Sequence, residues 1–363
     1  MNKKILYIFR GNTQKRILDQ RKEKGPYDFL YGFNHLKNFF DCSYIIAPRG
    51  KRLRLIEKLL FIIEKPFSVF TKLGLPLEIY PIFKKKLKRA DIIFCVNETI
   101  GFGILFYKML RLIKGKVMVL VMSLPERLKY FRHNRLLIWF ISKLLSYADI
   151  LLTLSDYAQK PLVEIFKVPL GKQETFYFGV DVNYWKLNSN IKRKRFVLSV
   201  GNDMNRDYAT LVQAIPEDLD LIIVTSKKVD TRGKSNIKIL SDIPDSQLRQ
   251  LYQSSIITVI PSTKLEYESS GLSCILQAMA CGSPVLISNI PTIKELFKEN
   301  VHCLFYNAED VNSLKNKLLK LIKSKQYRMI LSSNSLKLVR ERYTIESMKN
   351  QIKAKISIEL GKK

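Results

Sequence analysis

Residues Tyr267–Ser288 read YESSGLSCILQAMACGSPVLIS. A Ser-Ser-Gly turn leads into apolar residues at helical spacing, from Leu272 to Ala280. Gly282 stops that helix in the manner of a glycine C-cap. Pro284 and the run VLIS then start a buried strand. The first amides of such a helix have no partner within it. Either Ser269 or Ser270 caps them with a hydroxyl, or they hold a phosphate that approaches closely over Gly271.

The same alternation extends outward from this stretch. Upstream lie RFVLSVG (strand), YATLVQAI (helix), LDLIIVTS and SNIKIL (strands), PDSQLRQLYQSS (helix) and IITVIPS (strand). The first half repeats it: KKILYIF, CSYIIA, ADIIFCVN, KVMVLVMSL and DILLTLS read as strands. YDFLYGFNHLKNFF, GFGILFYKMLRLIKG, NRLLIWFISKLLSYA and DYAQKPLVEIFKV read as helices. Continuous apolar strands separated by helices predict parallel sheets covered on both faces. The polar, basic stretch Lys186–Arg195 reads as a linker. The expected architecture is α/β, two doubly wound Rossmann-like domains facing across a cleft. They cover residues 1–185 and 186–345, with a C-terminal helix over 346–363 packing back on the first. Ligands of such sheets bind beyond the carboxyl ends of the strands, which puts the expected site in the cleft.

A length of 363 residues suits two domains. The five cysteines are odd in number and form no Cys-x-x-Cys pair, so a reducing cytosol is expected rather than a disulfide framework or a zinc site. His35, His133 and His302 have no metal-ligand spacing. The Asp218–Asp220 pair stands at the entry to a strand, away from its carboxyl end, and is set aside as a metal site. The start, MNKKILYIFRG, is too short an apolar run for a signal peptide. No run reaches the roughly 18 apolar residues of a spanning helix.

The formal charge of +30 implies an anionic partner. Between Arg49 and Arg89 twelve basic residues face three acidic ones, interleaved with large apolar side chains. That pattern fits a helix lying in an anionic membrane surface, and equally an amphipathic helix whose lysines are solvated. No RNA-binding motif is present, so nucleic acid is not an expected partner.

SSGLSCILQAMACGSPVLIS resembles the signature of the retaining, group-1 glycosyltransferases with the GT-B fold: a glycine-containing loop, then a helix of the type Glu-Ala-Met-Ala-x-Gly-x-Pro-Val. FYFGVDVNYW, Phe176–Trp185, is similar to that family's interdomain GVD segment. FVLSVGNDMNRDYATLVQAI, Phe196–Ile215, is similar to the first strand and helix of its donor domain. YDFLYGFNHLK and ADILLTLS fit the acceptor domain more loosely. The likeness covers nearly the whole chain and is weakest between Arg49 and Arg89.

The resemblance implies transfer of a sugar from a nucleotide diphosphate-sugar, with no cofactor and no metal. Fixed donors aimed at the departing diphosphate stabilise the transition state more than the ground state. Here these would be the amides of Gly271 and Leu272, in the turn begun by Ser270, and the side chain of Arg206. The alternative for Arg206 is a surface arginine paired with Asp207. Lys264, in the loop ahead, also comes within reach of phosphate.

Two departures stand out. The family's ribose-binding glutamate is Gln277 here, which still accepts from a hydroxyl. Its first glutamate falls on Ser269, so the nearest acid, Glu268, takes the sugar-hydroxyl role and joins Arg206 as catalytic. In the acceptor half the strand KVMVLVMSL runs into Ser123-Leu124-Pro125-Glu126 without the family's histidine, and His133 is expected on a helix. Glu98 is either an acceptor contact or a helix N-terminal acid. The Arg10-Gly11-Asn12 turn stands where acceptor and diphosphate would approach. Asp181 either lines the cleft or shapes the interdomain turn. The expected protein is a retaining glycosyltransferase, cytoplasmic and peripheral on the inner membrane face, with a glycan or glycolipid acceptor. The alternative is a glycosyltransferase-like binding protein without turnover.

Overall fold

The computed structural model describes residues 3–11, 13–21, 25–47 and 55–361. It contains two compact units. The first is made of Met1–Glu23, Phe29–Tyr177 and Met348–Lys363, the second of Lys24–Asp28 and Phe178–Ser347.

The strands of the first unit are β1 (Lys4–Phe9), β2 (Asp41–Ile46), β3 (Ile92–Cys95), β4 (Lys116–Val121), β5 (Ile150–Thr153) and β6 (Gln173–Thr175). They pair in parallel in the order β2-β1-β3-β4-β5-β6. Ile5–Phe9 and Ile92–Cys95 are buried on both faces, as their unbroken apolar runs require. Tyr7 meets Phe33 and Phe94 edge to face.

The strands of the second unit are β7 (Lys194–Val200), β8 (Asp220–Val224), β9 (Ile237–Leu240), β10 (Ser255–Ile260), β11 (Val285–Ser288) and β12 (Leu304–Tyr306). Their order is β12-β11-β10-β7-β8-β9, again parallel. β7 and β10 lie side by side where the winding reverses, and that reversal opens a crevice at their carboxyl ends. One face of the sheet packs Val197, Ile223, Ile257 and Val259 against Leu211, Leu314 and Leu318.

Several local expectations change. YDFLYGFNHLKNFF is not one helix. It forms a 3-10 turn at Asp28–Leu30 and a four-residue helix at Phe33–Leu36, broken by Tyr31 and Gly32 at positive φ. DYAQKPLVEIFKV likewise gives only a 3-10 turn and the helix Lys160–Glu164. The long segment of the second unit begins at Phe178, eight residues before the expected boundary at 186. The cause is backbone pairing: Val180 N–H donates to Tyr343 O at 2.8 Å and Ile345 N–H to Val180 O at 3.2 Å. Trp185 is buried against Tyr252 in the same unit. In the helix Ile345–Gly361, Met348, Ile352 and Ile356 are buried and Gln351 bonds both backbone groups of Tyr177 in the first unit. Of the basic stretch Arg49–Arg89, residues 49–54 lie outside the described residues. The remainder forms helices at Leu55–Thr71 and Ile79–Arg89.

Lys186–Arg195, expected as a linker, is held to the second unit. Arg193 donates to Ser255 O at 2.6 Å and to Gly282 O. Arg193→Ala should lower the unfolding free energy by about 1–3 kcal/mol, because two partly buried carbonyls lose a charged donor. Urea denaturation checks this, and an unchanged midpoint would show the stretch to be a free linker.

Candidate functional site

The site is built where β7 and β10 end. After Val200 the chain turns at Gly201 (φ 149°), whose N–H donates to Val224 O at 3.1 Å. Its carbonyl accepts from the hydroxyls of Tyr208 (2.7 Å) and Thr225 (2.8 Å). The loop then brings Arg206 back over the strand end, where Nε donates to Val200 O at 3.1 Å. Nη1 lies 3.1 Å from Ser270 Oγ, 3.4 Å from Ser262 Oγ and 3.1 Å from Asp203 Oδ2. Arg206 is 5% exposed, and its ion partner is Asp203 rather than Asp207. Asp207 instead caps the helix Tyr208–Ala214 by accepting from Thr210 N–H.

Two glycines make room for the guanidinium. A Cβ on Gly201 would stand 2.1 Å from Arg206 Nε, and one on Gly271 2.8 Å from Nη2. The guanidinium therefore lies directly against the start of the helix Leu272–Ala280.

That helix start has no side-chain cap. Ser270 Oγ is turned away, donating to Asp203 Oδ1 at 2.9 Å and accepting from Arg206. Ser269 Oγ is buried and has no partner among the described residues. The serine-cap alternative is thus not what the chain adopts. The amide of Leu272 is partly used, donating to Ser269 O at 3.3 Å. Ile275 N–H closes the first turn onto Gly271 O. Helix geometry leaves the amides of Leu272, Ser273 and Cys274 without an intrahelical partner, and of these Leu272 is turned onto Ser269 O.

Burial pushes the Arg206 pKa down and the Asp203 carboxylate pushes it up, with a balance above the ordinary arginine value. The group is permanently charged. A buried cation beside the positive end of a helix, with one partly exposed carboxylate to balance them, attracts a further anion.

The other candidates divide. Glu268 joins the cluster's edge, with Oε2 accepting from Asn205 Nδ2 at 3.1 Å. Lys264 is exposed on the preceding loop. Gln277 is buried and donates through Nε2 to Asp28 Oδ2 at 2.8 Å. Asp181 is structural: Oδ1 accepts from the backbone N–H of Asn183 and Tyr184, and Oδ2 from Tyr27 N–H. In the first unit Glu98 is 1% exposed, and its two oxygens accept from Met122 N–H (3.1 Å) and Ser123 N–H (2.9 Å). It ties a helix start to the end of β4, which is the helix N-terminal alternative of its two readings. Gly11 lies in the turn after β1, with Asn12 outside the described residues. His133 is in an exposed turn between two helices, not on a helix. Asp218 pairs with Arg195. Among the described residues no group of three or more His, Cys, Asp or Glu is placed to hold a metal.

Sequence reasoning missed Gly201, Asp203, Asn205, Ser262 and Asp28. The first three lie within five residues of Arg206, and a glycine at a strand's carboxyl end was the available signal. Ser262 ends the loop entry after β10, held by Ser288 Oγ, which accepts its N–H at 2.7 Å. Asp28 had no signal, since it is 249 residues from Gln277.

Residues 190–338 match the family Glycosyl transferases group 1. An uncharacterized glycosyltransferase of Methanocaldococcus jannaschii is 24% identical over 225 residues, 54% of this chain and 57% of that protein. O-antigen chain mannosyltransferase B of Escherichia coli is 32% identical over 100 residues, 28% of this chain and 25% of its own length. The chain thus spans little more than half of the first relative and a quarter of the second. Among solved structures, Anabaena HepE in complex with UDP and glucose covers 98% of this chain and 99% of its own, with a TM-score of 0.72 at 15% identity. Sucrose-phosphate synthase from Thermosynechococcus elongatus covers 99% of both chains, with a TM-score of 0.73 at 14% identity. The fold is that of the GT-B glycosyltransferases.

Gly271→Ala should cost about 1–3 kcal/mol of stability, because its Cβ would meet Ile260 Cγ2 at 2.6 Å and the guanidinium at 2.8 Å, at a φ of 84°. Chemical denaturation measures it, and a neutral substitution would mean that the guanidinium is not fixed against the helix start.

Proposed function

We propose, from the match of residues 190–338 to the group 1 glycosyl transferases, that the chain is a retaining, metal-independent glycosyltransferase. It takes a sugar from a nucleotide diphosphate-sugar and passes it to a glycan or lipid-linked acceptor. It works at the cytoplasmic face of a membrane, in the synthesis of a cell-surface polysaccharide or lipopolysaccharide. The observation that carries this reading is the buried Arg206 guanidinium lying against an uncapped helix start. The buried, unpartnered hydroxyl of Ser269 supports it. So do the HepE complexes with UDP and with UDP-glucose, and the mannosyltransferase of the O-antigen chain among the relatives.

In this reading Arg206 and the amides of Gly271, Ser273 and Cys274 receive the diphosphate. Ser270 and Asp203 hold the guanidinium in place. As the bond from the anomeric carbon to the diphosphate oxygen breaks, its electron pair moves onto the diphosphate. The fixed cation and dipoles stabilise that charge without reorganising. The acceptor hydroxyl oxygen bonds to the anomeric carbon and its proton leaves with the diphosphate. Glu268 orients sugar hydroxyls, Gln277 accepts from a ribose hydroxyl, and Lys264 contributes positive potential from the loop. Gly11 is the acceptor-side candidate that keeps this role. Asp181 shapes its turn.

The membrane part rests on the first unit. The helix Leu55–Thr71 exposes Ile62, Ile63, Val69 and Phe70, and the helix Arg135–Ser146 exposes Leu136 and Trp139. The two are joined by Phe67 packing edge-on to Phe140. Lys84, Lys85, Lys86, Lys88 and Arg89 are exposed on the helix Ile79–Arg89. Exposed apolar anchors and a basic helix within one unit fit an anionic interface. Among the described residues no helix is long and apolar enough to cross a membrane.

A thermal-shift screen with UDP, GDP, ADP and CMP compounds should give stabilisation by one nucleoside diphosphate. Arg206→Ala should lower turnover about 10²–10³-fold, as for loss of one transition-state donor. A fall in folded protein that accounts for the whole loss of activity would make Arg206 structural. Nucleotide binding without sugar transfer to any acceptor would leave a binding protein.

Flotation with anionic liposomes at low salt should carry the wild type, and Trp139→Ala together with Phe70→Ala should reduce it. Absence of wild-type binding at low salt would remove the membrane assignment.

A further inference from the structure

Asp28 is the most deeply buried carboxylate linked to the candidate site, with no exposure to solvent. It belongs to the segment Lys24–Asp28, which is part of the second unit although it precedes most of the first in sequence. Its Oδ1 accepts from Asp181 N–H at 2.7 Å. Its Oδ2 accepts from Trp185 Nε1–H at 2.7 Å and from Gln277 Nε2–H at 2.8 Å. None of these donors carries a charge. Burial pushes the carboxyl group up to about 6, against the pull of the three hydrogen bonds. All three contacts are N–H donors, so both of its oxygens act as acceptors.

A carboxylate accepts and does not donate. The side chain of Gln277 therefore has to turn its amino group toward Asp28, and its carbonyl oxygen is the end left over. A glutamate at 277 could not fill this place in charged form. Two carboxylates within hydrogen-bonding distance do not both stay ionised.

We infer that Asp28 is a positioning residue for donor binding: by holding Nε2 of Gln277 it presents Oε1 as a fixed acceptor for a nucleoside hydroxyl, and it makes glutamine the working side chain at position 277. This rests on the nucleotide-sugar reading of the same site. It also accounts for the departure of Gln277 from the glutamate of the resembling family. Asp28 and Gln277 act as a matched pair, so an exchange at one position is compensated only by an exchange at the other.

The test is a double-mutant cycle on the full chain, read by calorimetric titration with UDP, or with whichever nucleoside diphosphate stabilises the wild type, at pH 7.5. Asp28→Asn and Gln277→Glu should each weaken binding. The double variant Asp28→Asn/Gln277→Glu should bind about tenfold more tightly than the two single losses multiplied together predict, within the usual coupling of residues in one hydrogen-bond network. A purely structural role for Asp28 would lower thermal stability without such recovery of affinity. Multiplicative losses in the double variant, or wild-type affinity in Gln277→Glu, would overturn the inference.

Should Gln277→Glu fail to fold, Gln277→Ala serves instead. Asp28→Asn should then weaken binding in the wild-type background and change it little in the Gln277→Ala background. An equal effect in both backgrounds would overturn the pairing. A wild type that binds none of the nucleoside diphosphates would overturn the donor reading itself, and this inference with it. Binding by the wild type without coupling would overturn only the inference.

Discussion

The second unit is organised around one buried charge. A guanidinium with 5% exposure is tolerable only if its donors are occupied and its charge is answered. Val200 O, Ser270 Oγ and Asp203 do this for Arg206. Each constraint reaches into the chain on either side. Gly201 and Gly271 have no Cβ because the guanidinium occupies the space. Tyr208 and Thr225 fix the carbonyl of Gly201. Ser270 is committed to the Asp203–Arg206 pair, and so the following helix starts without a serine cap. The buried positive charge at that helix start is a product of this packing.

Three other buried carboxylates follow a different rule. Glu98 and Asp181 spend their oxygens on backbone N–H groups at turns and helix starts. Asp28 takes one backbone and two side-chain donors. All three are neutral-donor sites, where hydrogen bonds replace hydration of the anion. Acidic residues near strand ends therefore divide by partner. Glu98 and Asp181, facing backbone amides, hold turns and helix starts, and Asp203, facing Arg206, holds the charge of the site.

The sequence was most legible where local chemistry and packing agree. The runs FVLSVG and IITVIP are short, β-branched and bounded by Gly or Pro, as buried strands are, and Gly271 and Gly282 at φ 84° and 73° bracket the helix between them as turn residues should. It was least legible where a distant partner decides. YDFLYGFNHLKNFF has helical periodicity but is broken at Tyr31 and Gly32, while Asp28 within it is held in the second unit. Lys186–Arg195 has linker composition, yet Arg193 reaches two carbonyls 62 and 89 residues away.

The sequence by itself determined the two parallel α/β sheets and the loop–helix at Ser270–Ala280, because strand burial, helix periodicity and glycine turns are properties of neighbouring residues. It also placed Arg206 at a strand's carboxyl end. Only the tertiary structure decided that Arg206 pairs with Asp203 instead of Asp207, that Leu272's amide is partly used and Ser269's hydroxyl is not, and that Gln277 answers to Asp28. These are choices among hydrogen-bond partners of similar chemistry. They are settled by which groups the fold brings within about 3 Å of one another, and spacing along the chain carries no record of that distance.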